Sequence, residues 1–210
     1  MDTSDDSQPL RSSRSRRIRL RRSRKTAPGA APGAGLSSVA SDAPKPEVRI
    51  CAYDQDHIEV ISASDAAMID EARKRFQGRV VWIQVMGFGD RSFLESVASQ
   101  FNIHRLEMDD VVNTYQRPKF EESQDHLFIV SRVILPASDT SDPDPSDDQL
   151  SIFLGKDFVL TFQEKKTDYT SAVLDRINQN RGVIRKNGSD YLAYAILDAV
   201  VDNYFPVLEK

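Results

Sequence analysis

Carboxylates in two separated stretches are the residues of this chain with the clearest chemical potential. Glu107, Asp109 and Asp110 crowd onto about one turn of a segment, His104 to Asn113, that reads as a short helix with Leu106, Val111 and Val112 as its apolar positions. Like charges so close destabilise a helix unless a cation, a basic side chain or water relieves them. Asp198 and Asp202 stand four apart, and so on one face of a second predicted helix. Hard divalent cations take carboxylate oxygens, and Mg2+ keeps several waters while accepting one or two carboxylates. The two acidic elements fit that demand if the fold or an assembly brings them together. The plainer readings are a solvated helix end for the first and an ordinary polar stripe for the second.

Other chemistries find less support. Cys51, the single cysteine, has no His partner in a nucleophile motif and excludes an internal disulfide. His57, His104 and His126 lack zinc-ligand spacing and read as surface or structural residues. Gly87-Phe88-Gly89 lacks the third glycine of a phosphate-binding loop. The aspartates between Ala137 and Asp148 lack the glycine and glutamate positions of an EF-hand, so that stretch reads as an extended acidic loop. A two-metal hydrolase is the alternative that the acidic pairs leave open.

The elements that must position these groups follow from patterning. Val48–Tyr53 and His57–Ile61 alternate across Asp54-Gln55-Asp56 as a β-hairpin. A helix from Asp65 to Phe76 ends at Gly78, and Val80–Val85 reads as a strand buried on both faces. A helix capped near Asp90 follows, with Phe93, Leu94, Val97 and Phe101 inward, and runs into the acidic element. Pro118 then bars helix, and strands at Leu127–Leu135, Leu150–Leu154 and Phe158–Phe162 precede helices at about Thr170–Asn180 and from Ser189 onward. Pro206 is expected to bend the last of these. Strands alternating with helices predict an α/β fold, a layered α/β/α sandwich with helices on both faces of one mixed β-sheet.

Charge divides the chain. Residues 1–45 carry ten basic and four acidic groups, a net of +6, and residues 46–210 carry eighteen and twenty-eight, a net of −10. The first 46 residues, Arg/Ser-rich and then Pro/Gly/Ala-rich, have little with which to build a core and read as a disordered tail. A solvated extension is the simplest reading of it, and contact with anionic lipid the favoured specific one. Asp2, Asp5 and Asp6 argue against a mitochondrial presequence, and no aromatic residue interleaves the arginines, so nucleic acid is not an expected partner. No apolar run approaches the length of a membrane helix, about 20 residues.

The run His104-x-Leu106-x-x-Asp109-Asp110-Val111-x-Asn113-x-x-Gln116-Arg117-Pro118-Lys119 resembles the cytosolic signature of the CorA magnesium transporter family. Phe158–Glu164, Arg181–Arg185 with Asp190-Tyr191-Leu192, and Leu197–Phe205 agree with it in order and spacing, so the likeness runs from about Val80 to Lys210. The resemblance implies a cytosolic α/β domain at 47–188 and, at 189–210, a helical segment opening a long stalk helix. It implies a homopentamer in the inner membrane that carries Mg2+, with Co2+ as a second ion. Regulatory Mg2+ between neighbouring cytosolic domains holds such a channel closed. Asp110 matches the family aspartate that bridges to the next subunit's stalk, Asp109 stands where many relatives carry glutamate, and Asp198 matches the helix aspartate of a second site. Asp202 joins this set from spacing alone. The resemblance carries the further expectation that this chain stops at the beginning of the stalk, before the membrane helices and their Gly-Met-Asn motif, and is not transport-competent by itself. A free-standing hydrolase or Mg2+-binding module is the alternative.

Overall fold

The computed structural model describes residues 43–114, 116–135 and 146–208. The basic tail up to residue 42 and most of the acidic loop lie outside the described residues. Seven strands form one mixed sheet in the order β2-β1-β3-β7-β6-β5-β4. The strands are β1 (Glu47–Tyr53), β2 (Ile58–Ala63), β3 (Val80–Met86), β4 (Lys119–Glu122), β5 (Leu127–Leu135), β6 (Ser146–Leu154) and β7 (Phe158–Gln163). Among the described strands only β3 and β7 pair in parallel; every other neighbour is antiparallel.

Local chemistry explains the boundaries. Between β1 and β2, the Asp54 carboxylate accepts the N–H groups of Asp56 and His57 at 2.8 and 2.7 Å, which closes the turn. Helix α1 (Ala66–Arg75) starts where Asp65 accepts Met68 N–H at 2.9 Å, and α2 (Arg91–Gln100) where Asp90 accepts Phe93 N–H at 3.0 Å. Gly87 and Gly89 admit the chain entering β1. A Cβ at Gly89 would lie 2.0 Å from the Ala43 carbonyl oxygen, and Gly89 N–H donates to Pro44 O at 2.8 Å.

β3 is buried on both faces because the sheet is covered on both. Val81, Ile83 and Val85 face one core, which α1, α2 and α3 (Arg105–Val112) complete with Phe128 and Phe153. Trp82 faces the other core, with α4 (Ser171–Asn178), a 3-10 turn at Ile184–Lys186 and α5 (Ser189–Asp202). Leu192, Ala193, Ala195, Ile196 and Val200 of α5 are part of that second core, so this helix packs on the same sheet. Its apolar burial, at about 25 cal/mol per Å2, holds it there.

Two features differ from the sequence expectations. A short strand, β4, pairs with β5 directly after Pro118; with one partner strand and the sequence Lys-Phe-Glu-Glu it is a charged sheet edge. Strand β6 begins at Ser146, inside the expected acidic loop, with Asp147 and Asp148 paired opposite Ile134 and Val133. The last helix bends beside Pro206, as expected: α5 ends at Asp202, and a turn at Asn203–Tyr204 precedes the one-turn α6 (Phe205–Leu208). Tyr204 donates its hydroxyl to Arg132 O on β5 at 2.7 Å, while Pro206 supplies no N–H to continue the ladder.

Candidate functional site

Helix α3 is built to hold its carboxylates apart. His104 is its N-cap: His104 Nδ1 accepts Leu106 N–H at 3.2 Å, and Glu107 reaches back to accept His104 N–H at 2.8 Å. The other oxygen of Glu107 lies 3.0 Å from His126 Nε2, and His126 is buried against the Phe153 ring. Met108, Val111 and Val112 are the residues that anchor the helix to the sheet. Leu106, expected on that apolar face, is instead about half exposed; Met108, two residues on and so on the opposite side of the helix, takes the inward position. Asp109 and Asp110 are half-buried on the flank this packing leaves.

Each carboxylate oxygen of Asp110 has a hydrogen-bond partner. One carboxylate oxygen accepts Gln116 Nε2 at 2.5 Å and the other accepts Lys119 Nζ at 2.7 Å. Lys119 Nζ also donates to Glu121 at 2.8 Å and stands over the buried Phe128 ring. Partial burial pulls the Lys119 pKa down, but its hydrogen bonds to Asp110 and Glu121 outweigh that and the net shift is upward. Behind the acid, Gln149 of β6 donates to the end carbonyls of α3 at Asp110 (2.7 Å) and Val111 (3.3 Å) and accepts Gln116 N–H at 3.2 Å. The Gln116-Arg117-Pro118-Lys119 run thus turns the chain so that Lys119, on the α3 face of β4, meets the acid nine residues before it.

Lys119, Gln149 and His126 were not singled out as partners from the sequence. Opposite charge on either side of a proline is a faint signal for the first, and a buried glutamine at the end of an acidic stretch gives none.

Asp198 and Asp202 share one face of α5, as expected. Asp198 is half-exposed, with Arg176 of α4 at 3.9 Å, and Asp202 is exposed. Because α3 and α5 belong to cores on opposite faces of the sheet, one chain does not bring the two aspartate pairs together. Among the described residues, no group of three or more His, Cys, Asp or Glu side chains converges as a metal site. The donors do fit Mg2+ chemically: half-buried carboxylates, one or two per site, leave room for the waters this ion retains. The competing groups are accounted for. Burial pushes the Cys51 thiol up to about 12, far from a thiolate nucleophile, and two of the three histidines serve α3 itself.

A family model described as CorA-like Mg2+ transporter protein matches residues 77–210, more than half of the chain. The chain belongs to the CorA-like Mg2+ transporter family. Over 129 residues it is 40% identical to the cobalt/magnesium transport protein CorA of Thermotoga maritima, covering 61% of this chain and 36% of that protein. Over 135 residues it is 26% identical to the putative metal ion transporter YfjQ of Bacillus subtilis, covering 64% and 40%. The chain therefore spans well under half the length of these curated CorA-like relatives.

The soluble domain of CorA from Methanocaldococcus jannaschii shares the fold, with a TM-score of 0.56 at 17% identity over 77% of this chain and 58% of that one. The full-length CmaX protein does so with a TM-score of 0.61 at 9% identity over 79% and 48%. These likenesses bear out the mixed-sheet α/β architecture expected from the sequence. The CorA-like family is one of transporters rather than enzymes, which removes the support for a hydrolase. No helix among the described residues is long and apolar enough to cross a membrane.

Proposed function

We propose that this chain is the cytosolic, Mg2+-sensing part of a CorA-like transporter or channel for Mg2+ and Co2+ in the inner membrane. It acts as one protomer of a homo-oligomer, a pentamer by the resemblance, with the basic tail resting on anionic lipid. Asp110 binds a regulatory Mg2+ toward the neighbouring stalk. Asp109 of one protomer and Asp198 of the next, with Asp202 beside it, hold the second. Mg2+ supplies the charge that lets the acidic surfaces of two protomers approach; the aspartates bind and orient its water shell. A closed state is favoured only through its higher affinity for that ion.

One observation carries this reading: Asp109 and Asp198 lie on opposite faces of one sheet. Two such acids can share an ion only when they come from two copies. The test mixes an Asp109→Asn chain with an Asp198→Asn chain and follows Mg2+-promoted association by sedimentation velocity. Each variant alone should associate poorly, and the mixture should recover association, because one interface then carries both native aspartates. A mixture no better than its components contradicts the arrangement.

A further inference from the structure

The acid best placed to take a cation already holds one. Asp110 accepts the Lys119 ammonium at 2.7 Å, at a position where both side chains are only about a quarter exposed. Lys119 has a second acid to turn to, because Glu121 lies 2.8 Å from the same nitrogen. Its ammonium stands over the Phe128 ring, 5.4 Å from the centroid, between the two carboxylates, so it can release one and keep the other without leaving that face. The other Asp110 oxygen is held by Gln116, a neutral donor, and the backbone N–H of Gln116 is tied to Gln149.

We propose that Lys119 is a built-in competitor for the cation at Asp110: its ammonium occupies the carboxylate at low Mg2+ and withdraws to Glu121 when Mg2+ binds. The proposal rests on the reading of Asp110 as a Mg2+ ligand and adds to it the element that sets the affinity. Two cations cannot share one half-buried carboxylate without strong repulsion, so each ion bound displaces one lysine contact. The same exchange couples the site to the fold. Lys119, the first residue of the edge strand β4, ties that strand to the end of α3, and its withdrawal leaves Gln116 as the contact of this stretch with Asp110. Competition also places the response at higher Mg2+ than a bare carboxylate pair would give, because the lysine contact must be lost first.

The experiment titrates the 210-residue chain with MgCl2 by calorimetry, and follows amide hydrogen exchange at residues 116–122 with and without the ion. Lys119→Met keeps an unbranched side chain and removes the charge; Lys119→Arg keeps the charge; Asp110→Asn removes the proposed ligand. Lys119→Met should bind Mg2+ about tenfold more tightly, the size of effect that one close like charge has on a neighbouring site. Lys119→Arg should stay near the wild type, and Asp110→Asn should lose the binding. In the wild type, Mg2+ should speed exchange at residues 116–119; in Lys119→Met exchange there should be fast at the outset and unresponsive. If Asp110→Asn loses binding while Lys119→Met binds no more tightly than the wild type, the competition is overturned and Asp110 stands as a ligand. If Asp110→Asn binds as the wild type does, Asp110 is not a ligand and both readings fall. Should Lys119→Met not fold, Lys119→Gln serves the same comparison.

Discussion

His126 Nε2 lies 3.0 Å from Glu107 Oε1, and through this contact the β4–β5 turn is tied to the first turn of the acidic helix. Glu107 also accepts His104 N–H, so one carboxylate both caps α3 and anchors it. Glu107→Ala should remove the capping box and leave the buried imidazole without its partner, at a cost of about 2 kcal/mol. Urea denaturation measures this directly; a change under about 0.5 kcal/mol, the range of a neutral surface substitution, would show that the contact does not support the helix.

A second prediction concerns pH. Burial pushes the Asp148 carboxyl up from 3.8 to about 6, against the pull of the backbone N–H groups of Gln149 and Lys165. Its folded pKa is raised, so between about pH 4 and 6 the folded state binds more protons than the unfolded one. The contribution of Asp148 is therefore fully present below pH 4 and is lost as pH rises through 6. The loss should amount to about 3 kcal/mol by linkage. Asp148→Asn should flatten this part of the stability–pH curve, as thermal melts of the two proteins across that window would reveal. Parallel curves would place the carboxyl in water.

Gly89 yields a steric prediction. An alanine there would push its Cβ into the Ala43 carbonyl, which is backbone and cannot swing aside. Gly89→Ala should cost about 2 kcal/mol or detach residues 43–45 from the sheet end, as overpacking does. Faster amide exchange at Gly89, whose N–H now donates to Pro44 O, reports the second outcome. Unchanged exchange and stability would mean that the close approach is not maintained.

Legibility in the sequence followed the range of the forces involved. The cap at Asp90, the helix start at Asp65 and the Asp54 turn are contacts within three residues, and pattern alone placed the elements they bound. Doubly buried β3 was equally plain, because seven successive apolar or amide residues have few other places to go. Strand β4 escaped because Lys-Phe-Glu-Glu has no two-residue apolar period; it forms only because β5 offers an edge. The start of β6 was hidden by composition: Asp148 reads as loop, yet it is buried by donors that arrive from the β7–α4 connection. The acidic residues of the site were visible, and their neighbours were not. That Asp110 faces Lys119, while Asp198 is across the sheet, depends on which face each element covers.

Placement of the tail bears on the membrane. Residues 1–45 hold nine of their ten cations between Arg11 and Lys25. Removing them should weaken binding to vesicles containing anionic phosphatidylserine, and the wild-type binding should fall with added salt. No effect of the deletion would return the tail to a plain solvated extension, and salt-insensitive binding would exclude its charge as the cause.

Whether the acidic end of α3 receives Mg2+ is read by an amide chemical-shift titration of the 15N-labelled chain. Adding MgCl2 to millimolar-order concentration, the weak end of carboxylate sites, should shift the amides of residues 109–113 and 119 progressively. The same addition to Asp110→Asn should leave them in place. If Mg2+ moves no amide of α3, or moves those of Asp110→Asn along the wild-type curve, the acidic turn is a solvated helix end and the account is contradicted.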